Sequence, residues 1–94
     1  MADTDQTNGD KPQWLVKKEE GNAAYRNGDV DDAVDLYTQA LTLAETEASD
    51  QDRGLLLCNR AQCYIRKEEY ESTVEDCTTS LTLSPNNVKA MFRR

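Results

Sequence analysis

The sequence predicts an all-α chain of stacked helical hairpins, on three observations: an internal repeat, a shared helical period in its two copies, and no strand patterning. Val34-Asp35-Leu36-Tyr37-Thr38-Gln39-Ala40-Leu41-Thr42-Leu43 lies over Val74-Glu75-Asp76-Cys77-Thr78-Thr79-Ser80-Leu81-Thr82-Leu83 at a constant offset of 40, with five of the ten positions identical. The packing pattern repeats with the letters. Val30, Ala33, Val34, Tyr37, Ala40 and Leu41 match Tyr70, Thr73, Val74, Cys77, Ser80 and Leu81, and both sets are spaced as one stripe of an α-helix. No stretch alternates polar and apolar residues without also fitting such a stripe.

Taken in order, residues 1–11 carry Asp, Thr, Gln, Asn and Gly with no apolar period, and they predict a flexible acidic leader that cannot repay the entropy of ordering. Structure is expected from Pro12, which suits a first helical turn, with Asp10 near the helix's positive end. A helix over Lys18 to Arg26 ends at Asn27-Gly28-Asp29, where glycine can take the left-handed turn and Asp29 can cap the next helix. The second copy is preceded in the same way by Leu55 to Arg66 and the break Lys67-Glu68-Glu69. Ser84-Pro85-Asn86-Asn87 stops its helix, and Val88 to Arg94 opens a third unit. The organisation is therefore a 12–94 domain with a first repeat over 14–47, a second over 54–87 and the start of a third at 88–94. The chain would then end inside a first helix, so the expectation is a fragment or short form of a longer protein, or one that covers its open end by self-association. Gly21, Ala23, Ala24 and Ala61 allow close helix approach; Tyr37, Tyr64 and Tyr70 fill the space between layers. Tyr25 either packs there or faces a groove, and Cys63 and Cys77 read as small core residues.

Composition narrows function. Eleven Lys plus Arg against eighteen Asp plus Glu give a net charge of −7, which argues against nucleic acid and anionic membrane as partners. The absence of histidine removes His-based general catalysis and every His-containing zinc site. No cofactor or metal is expected, and adjacent acids such as Glu19-Glu20 diverge in direction on a helix, so catalysis is not expected either. The longest aliphatic run, Leu55-Leu56-Leu57-Cys58, is far short of the roughly 20 residues of a membrane helix. Three cysteines with no Cys-x-x-Cys pair suit a reducing compartment, and a cytoplasmic location is expected.

The residues Gly21, Ala33, Tyr37 and Ala40 in the first copy, and Ala61, Tyr64, Tyr70 and Pro85 in the second, resemble the tetratricopeptide repeat (TPR). Its usual period is about 34 residues, matched by Gly54 to Val88; the first copy carries six more, placed in the acidic stretch Ala44 to Asp52, of which Glu45 to Asp52 is read as a solvated loop or helix end. The resemblance implies a right-handed superhelix of two repeats plus the first helix of a third.

A narrower resemblance follows. Lys18, Asn22, Asn59, Lys89 and Arg93 match the residues that form the two-carboxylate clamp of TPR cochaperones, which hold the C-terminal Glu-Glu-Val-Asp peptide of heat-shock protein 90 or heat-shock protein 70. By that resemblance Lys18, Asn22 and Asn59 hold the terminal carboxylate, Lys89 the Asp side chain, and Arg93 a more distant acceptor. The strings Tyr37-Thr38-Gln39-Ala40-Leu41, Asn59-Arg60-Ala61 and Lys89-Ala90-Met91-Phe92-Arg93-Arg94 are similar to myosin-directed cochaperones with a UCS domain, which would imply a client such as myosin bound outside this chain; the mitochondrial-import TPR cochaperones use related strings. The chemistry is coherent. A C-terminal Asp presents two carboxylates, and their capture calls for donors on rigid elements. Lys18 and Asn22 share a helix face, as do Lys89 and Arg93; Arg66, seven residues beyond Asn59, lies on the same face and joins the candidate set. Two other readings stand beside the adaptor: a scaffold whose groove takes an internal segment of a partner, and the targeting domain of a larger enzyme.

Overall fold

In the computed structural model, which describes residues 11–85, four helices follow one another: α1 Gln13–Arg26, α2 Val30–Glu47, α3 Asp50–Arg66 and α4 Tyr70–Leu83. No strand occurs among the described residues, and each helix packs on the next, giving two stacked hairpins. The expectations for residues 1–10, for the Asp10 cap, for Asn86-Asn87 and for the third unit at 88–94 lie outside the described residues. Lys11, placed in the leader by its sequence, has its ammonium 2.9 Å from Glu19.

The two hairpin turns repeat at the offset of 40. Gly28 N–H donates to Tyr25 O at 3.1 Å and Asp29 N–H to Ala24 O at 2.9 Å; Glu68 N–H donates to Ile65 O at 3.0 Å and Glu69 N–H to Tyr64 O at 2.9 Å. Both are Schellman closures, which satisfy the last carbonyls of a helix and require a left-handed residue just after the capping residue, here Asn27 or Lys67. That residue is Gly28 at φ 88 in the first turn and Glu68 at φ 61 in the second. A side chain in this conformation costs roughly 1–2 kcal/mol, partly offset because glycine loses more entropy on folding. Glu68→Gly is therefore expected to raise stability by up to about 1 kcal/mol, and Gly28→Ala to lower it by about 1 kcal/mol. Urea titrations of the two variants check this; shifts of the same sign would sink it.

One expectation about helix ends is corrected, and one pair of alternatives is decided. Asp29 stands at the start of α2, but its side chain makes no capping hydrogen bond; its N–H is spent on the turn and its carbonyl accepts from Ala33 N–H at 3.0 Å. The stretch Ala44 to Asp52 is mostly helix. The stripe Ala33, Tyr37, Ala40 continues to a fully buried Ala44, so α2 runs on to Glu47, and Ser49 Oγ accepts Asp52 N–H at 3.1 Å to start α3 at once. The six extra residues lengthen helices instead of forming a loop, and α3 begins five residues before Leu55.

Trp14, Ala33, Tyr37, Ala40, Ala44, Leu56 and Cys63 form the core, with Leu15, Val30, Val34 and Leu41 packed against it. Small residues set the distances: a Cβ on Gly21 would lie 2.8 Å from Tyr37 Cε1, so the ring rests directly on the α1 backbone. Between α3 and α4, Ser80 Oγ donates to Gly54 O at 2.8 Å. Arg60 crosses this interface with its Nε and Nη2 donating to the two Asp76 carboxylate oxygens at 2.7 and 2.8 Å, and its Nη1 to Thr38 on α2 at 3.0 Å.

The stripes of the two repeats part company in their surroundings. α3 covers that of α2, whereas Tyr70 and Val74, each 62% exposed, and Leu81, 48% exposed, lie open on α4. Tyr70 thus does not fill a layer among the described residues, and Cys77 is only half-buried while Cys63 is fully buried. α4 packs on α3 through Asp76 and Ser80 instead.

Candidate functional site: a polar groove across α1 and α3

Every residue that lines the best-formed concavity, of about 400 Å³, comes from α1, α2 or α3: Asn22, Tyr25 and Arg26 from α1, Tyr37 from α2 beneath, Asn59 and Gln62 from α3. The helical period makes this possible. Asn22 and Arg26 are one turn apart, as are Asn59 and Gln62, so each pair shares a face. None of these residues is acidic, and all six carry a side-chain group able to donate a hydrogen bond: an amide, a phenol or a guanidinium.

The structure brings together two of the six predicted site residues, Asn22 and Asn59, contributed by successive hairpins. Lys18 is half-buried on α1, one turn before Asn22, and does not line the concavity itself. Arg66 is joined to it indirectly: its guanidinium lies 5.0 Å from the centre of the Tyr25 ring, a cation–π contact that ties the end of α3 to the pocket wall. Tyr25 therefore faces the groove. Lys89 and Arg93 lie outside the described residues.

Sequence reasoning missed Arg26, Gln62 and the groove role of Tyr37. One signal was available for Gln62, which follows Asn22 at the repeat offset of 40 and so occupies the matching place on α3. Tyr37 is 3% exposed, and its phenol O–H donates a short hydrogen bond to Asn22 Oδ1. Burial pushes its pKa up to about 12, helped by Cys63 and Tyr25 and opposed by the Arg26 charge. The arrangement offers neutral donors and a cation in a concave wall. It suits the binding of an anionic or acceptor-rich group.

Residues 56–87 match the tetratricopeptide repeat family. The chain is 32% identical over 77 residues to Protein unc-45 homolog B of Danio rerio, covering 82% of this chain and 8% of that protein. It is 38% identical over 78 residues to sperm-associated antigen 1 of Mus musculus, covering 83% and 8%, and 37% identical over 76 residues to mitochondrial import receptor subunit TOM34 of Rattus norvegicus, covering 79% and 25%. The chain thus spans a quarter or less of the length of these relatives. No solved structure matches it. The family match falls on the second hairpin, and the first hairpin repeats it in sequence, in turn closure and in stacking; the chain belongs to the tetratricopeptide-repeat family of protein–protein interaction modules.

Proposed function

We propose that the chain is the tail-docking domain of a cytoplasmic chaperone adaptor, taking the C-terminal Glu-Glu-Val-Asp peptide of heat-shock protein 90 or heat-shock protein 70 in the groove and serving a client, such as myosin, held by regions outside these residues. The observation that carries the reading is the convergence of Asn22 and Asn59 on one concave wall that also holds Arg26. Lys18 stands one turn before Asn22 on α1, and Lys18, Lys89 and Arg93 are assigned to the peptide from the sequence pattern alone. The chain acts by binding and positioning, with no bond made or broken.

Hydrogen bonds to charged groups contribute roughly 1.5–3 kcal/mol each, against the cost of ordering the peptide. A micromolar dissociation constant, about −8 kcal/mol, is the expected scale. The net charge of −7 does not forbid an acidic ligand, because at physiological salt the Debye length is about 8 Å and distant carboxylates are screened from the groove.

Calorimetry tests the reading. The free-acid peptide is expected to bind, the C-terminally amidated peptide to bind much more weakly, and Asn59→Ala to weaken the free acid about ten- to hundredfold. Equal binding of acid and amide would remove the carboxylate reading and favour a groove for an internal segment of a partner.

A further inference from the structure

Tyr37 is the pocket residue with the least exposure and the most constrained surroundings. Its ring lies against the backbone of Gly21, at a spot where any β-carbon would come within 2.8 Å of Cε1, and its phenol O–H is given to the side chain of the very next residue, Asn22. A carboxamide is two-faced. Its oxygen accepts and its nitrogen donates, and a half-turn about the last side-chain bond exchanges them at nearly the same positions. A free Asn22 could therefore offer either face to a ligand.

We propose that Tyr37 is a positioning residue: by donating its O–H to Asn22 Oδ1 it turns the Asn22 carboxamide so that its N–H groups face the groove, making this part of the pocket selective for a carboxylate over a carboxamide. The proposal deepens, and rests on, the carboxylate-docking reading above. Because the phenol keeps its proton well beyond physiological pH, it is a donor under all working conditions and Asn22 Oδ1 stays occupied. The phenol oxygen itself adds little to the groove surface, since Tyr37 is 3% exposed. Arg26 on the same wall is a donor with no acceptor, so it adds a second group of the same sense to the wall that holds Asn22. Gly21 and Tyr37 were both legible as packing residues; the structure adds that their packing delivers a hydroxyl to the ligand-facing amide.

The test is Tyr37→Phe in the full chain, which keeps the ring on Gly21 and removes only the hydroxyl. With a pentapeptide ending Glu-Glu-Val-Asp, the free acid is expected to bind about three- to tenfold more weakly, the scale of one net hydrogen bond. The amidated peptide is expected to lose less or to gain, because Asn22 can then turn its oxygen outward. The acid-to-amide ratio therefore falls, which loss of packing alone would not produce. A preserved ratio in Tyr37→Phe, alongside a clear acid preference in the parent chain, overturns the proposal and leaves the carboxylate reading standing. If the parent shows no acid preference, that reading fails, and nuclear Overhauser contacts of the Asn22 side-chain N–H protons in the free protein decide the positioning itself. Contacts to Asn59 and Gln62 that vanish in Tyr37→Phe uphold the orientation, and contacts unchanged by the substitution overturn it.

Discussion

Arg60→Met is expected to lower stability by about 3–5 kcal/mol, the usual cost of leaving one member of a buried ion pair without its partner. Asp76 is 5% exposed and both of its carboxylate oxygens are taken by Arg60, so in the variant a buried carboxylate loses its donors. Small domains hold only about 5–15 kcal/mol in total, so much of the population would unfold at moderate temperature. The reverse substitution is milder. In Asp76→Leu the guanidinium, whose side chain is 19% exposed, still reaches solvent and keeps Thr38. Asp76 hydrogen bonds are the main reason the guanidinium holds its proton even more tightly than usual, ahead of the opposing effect of burial.

The same reasoning makes the double variant informative. Arg60→Met with Asp76→Leu removes both charges and refills the space with apolar atoms, which restores most of the loss, because the net contribution of a buried pair over an apolar pair is small or negative. Chemical denaturation of the four proteins gives the coupling energy directly. Single costs that simply add in the double variant would show that the bidentate contact is not what joins α3 to α4.

How far the sequence carried the reading depends on which force set each feature. The helices were legible because burial imposes a period, and Val30, Ala33, Val34, Tyr37, Ala40 and Leu41 display it in their spacing. The second turn was legible as a break but not in its mechanism. Backbone hydrogen bonds hold Glu68 in a conformation that residue preference alone assigns to glycine. The continuation of α2 through Ala44 was hidden because alanine and glutamate, read singly, fit a solvated helix end as well as a buried stripe. In the groove, Asn22 and Asn59 were visible through a family pattern, whereas Arg26 and Gln62 depend on how α1 and α3 come to line one concavity over Tyr37 of α2. The Arg60–Asp76 pair and the Tyr37–Asn22 bond join residues 16 and 15 positions apart on different helices, and no local spacing rule announces them.

Alkaline pH is expected to destabilise the chain in a defined window. Burial holds the Cys63 thiol at about 11 against an ordinary 9.0, and burial is also the main cause that holds the Tyr37 phenol at about 12 against 10.0. Between pH 9 and 11 the unfolded chain has released the thiol proton while the folded chain retains it, so the unfolded state binds fewer protons and stability falls as pH rises. The phenol adds a second fall between 10 and 12. At about 1.4 kcal/mol for each pH unit, either group accounts for a loss of up to about 3 kcal/mol, complete only above its folded value, and neither matters at neutral pH. Cys63→Ala isolates the first limb. Its urea midpoint, followed by circular dichroism from pH 7.5 to 11.5, should lie below that of the parent at neutral pH, since alanine is smaller than the fully buried thiol, and the gap should close between pH 9 and 11 as the parent loses the advantage of a protonated thiol. A gap that stays constant across that range would mean that the thiol ionises equally in both states, and that Cys63 is not sealed in the core beneath the groove.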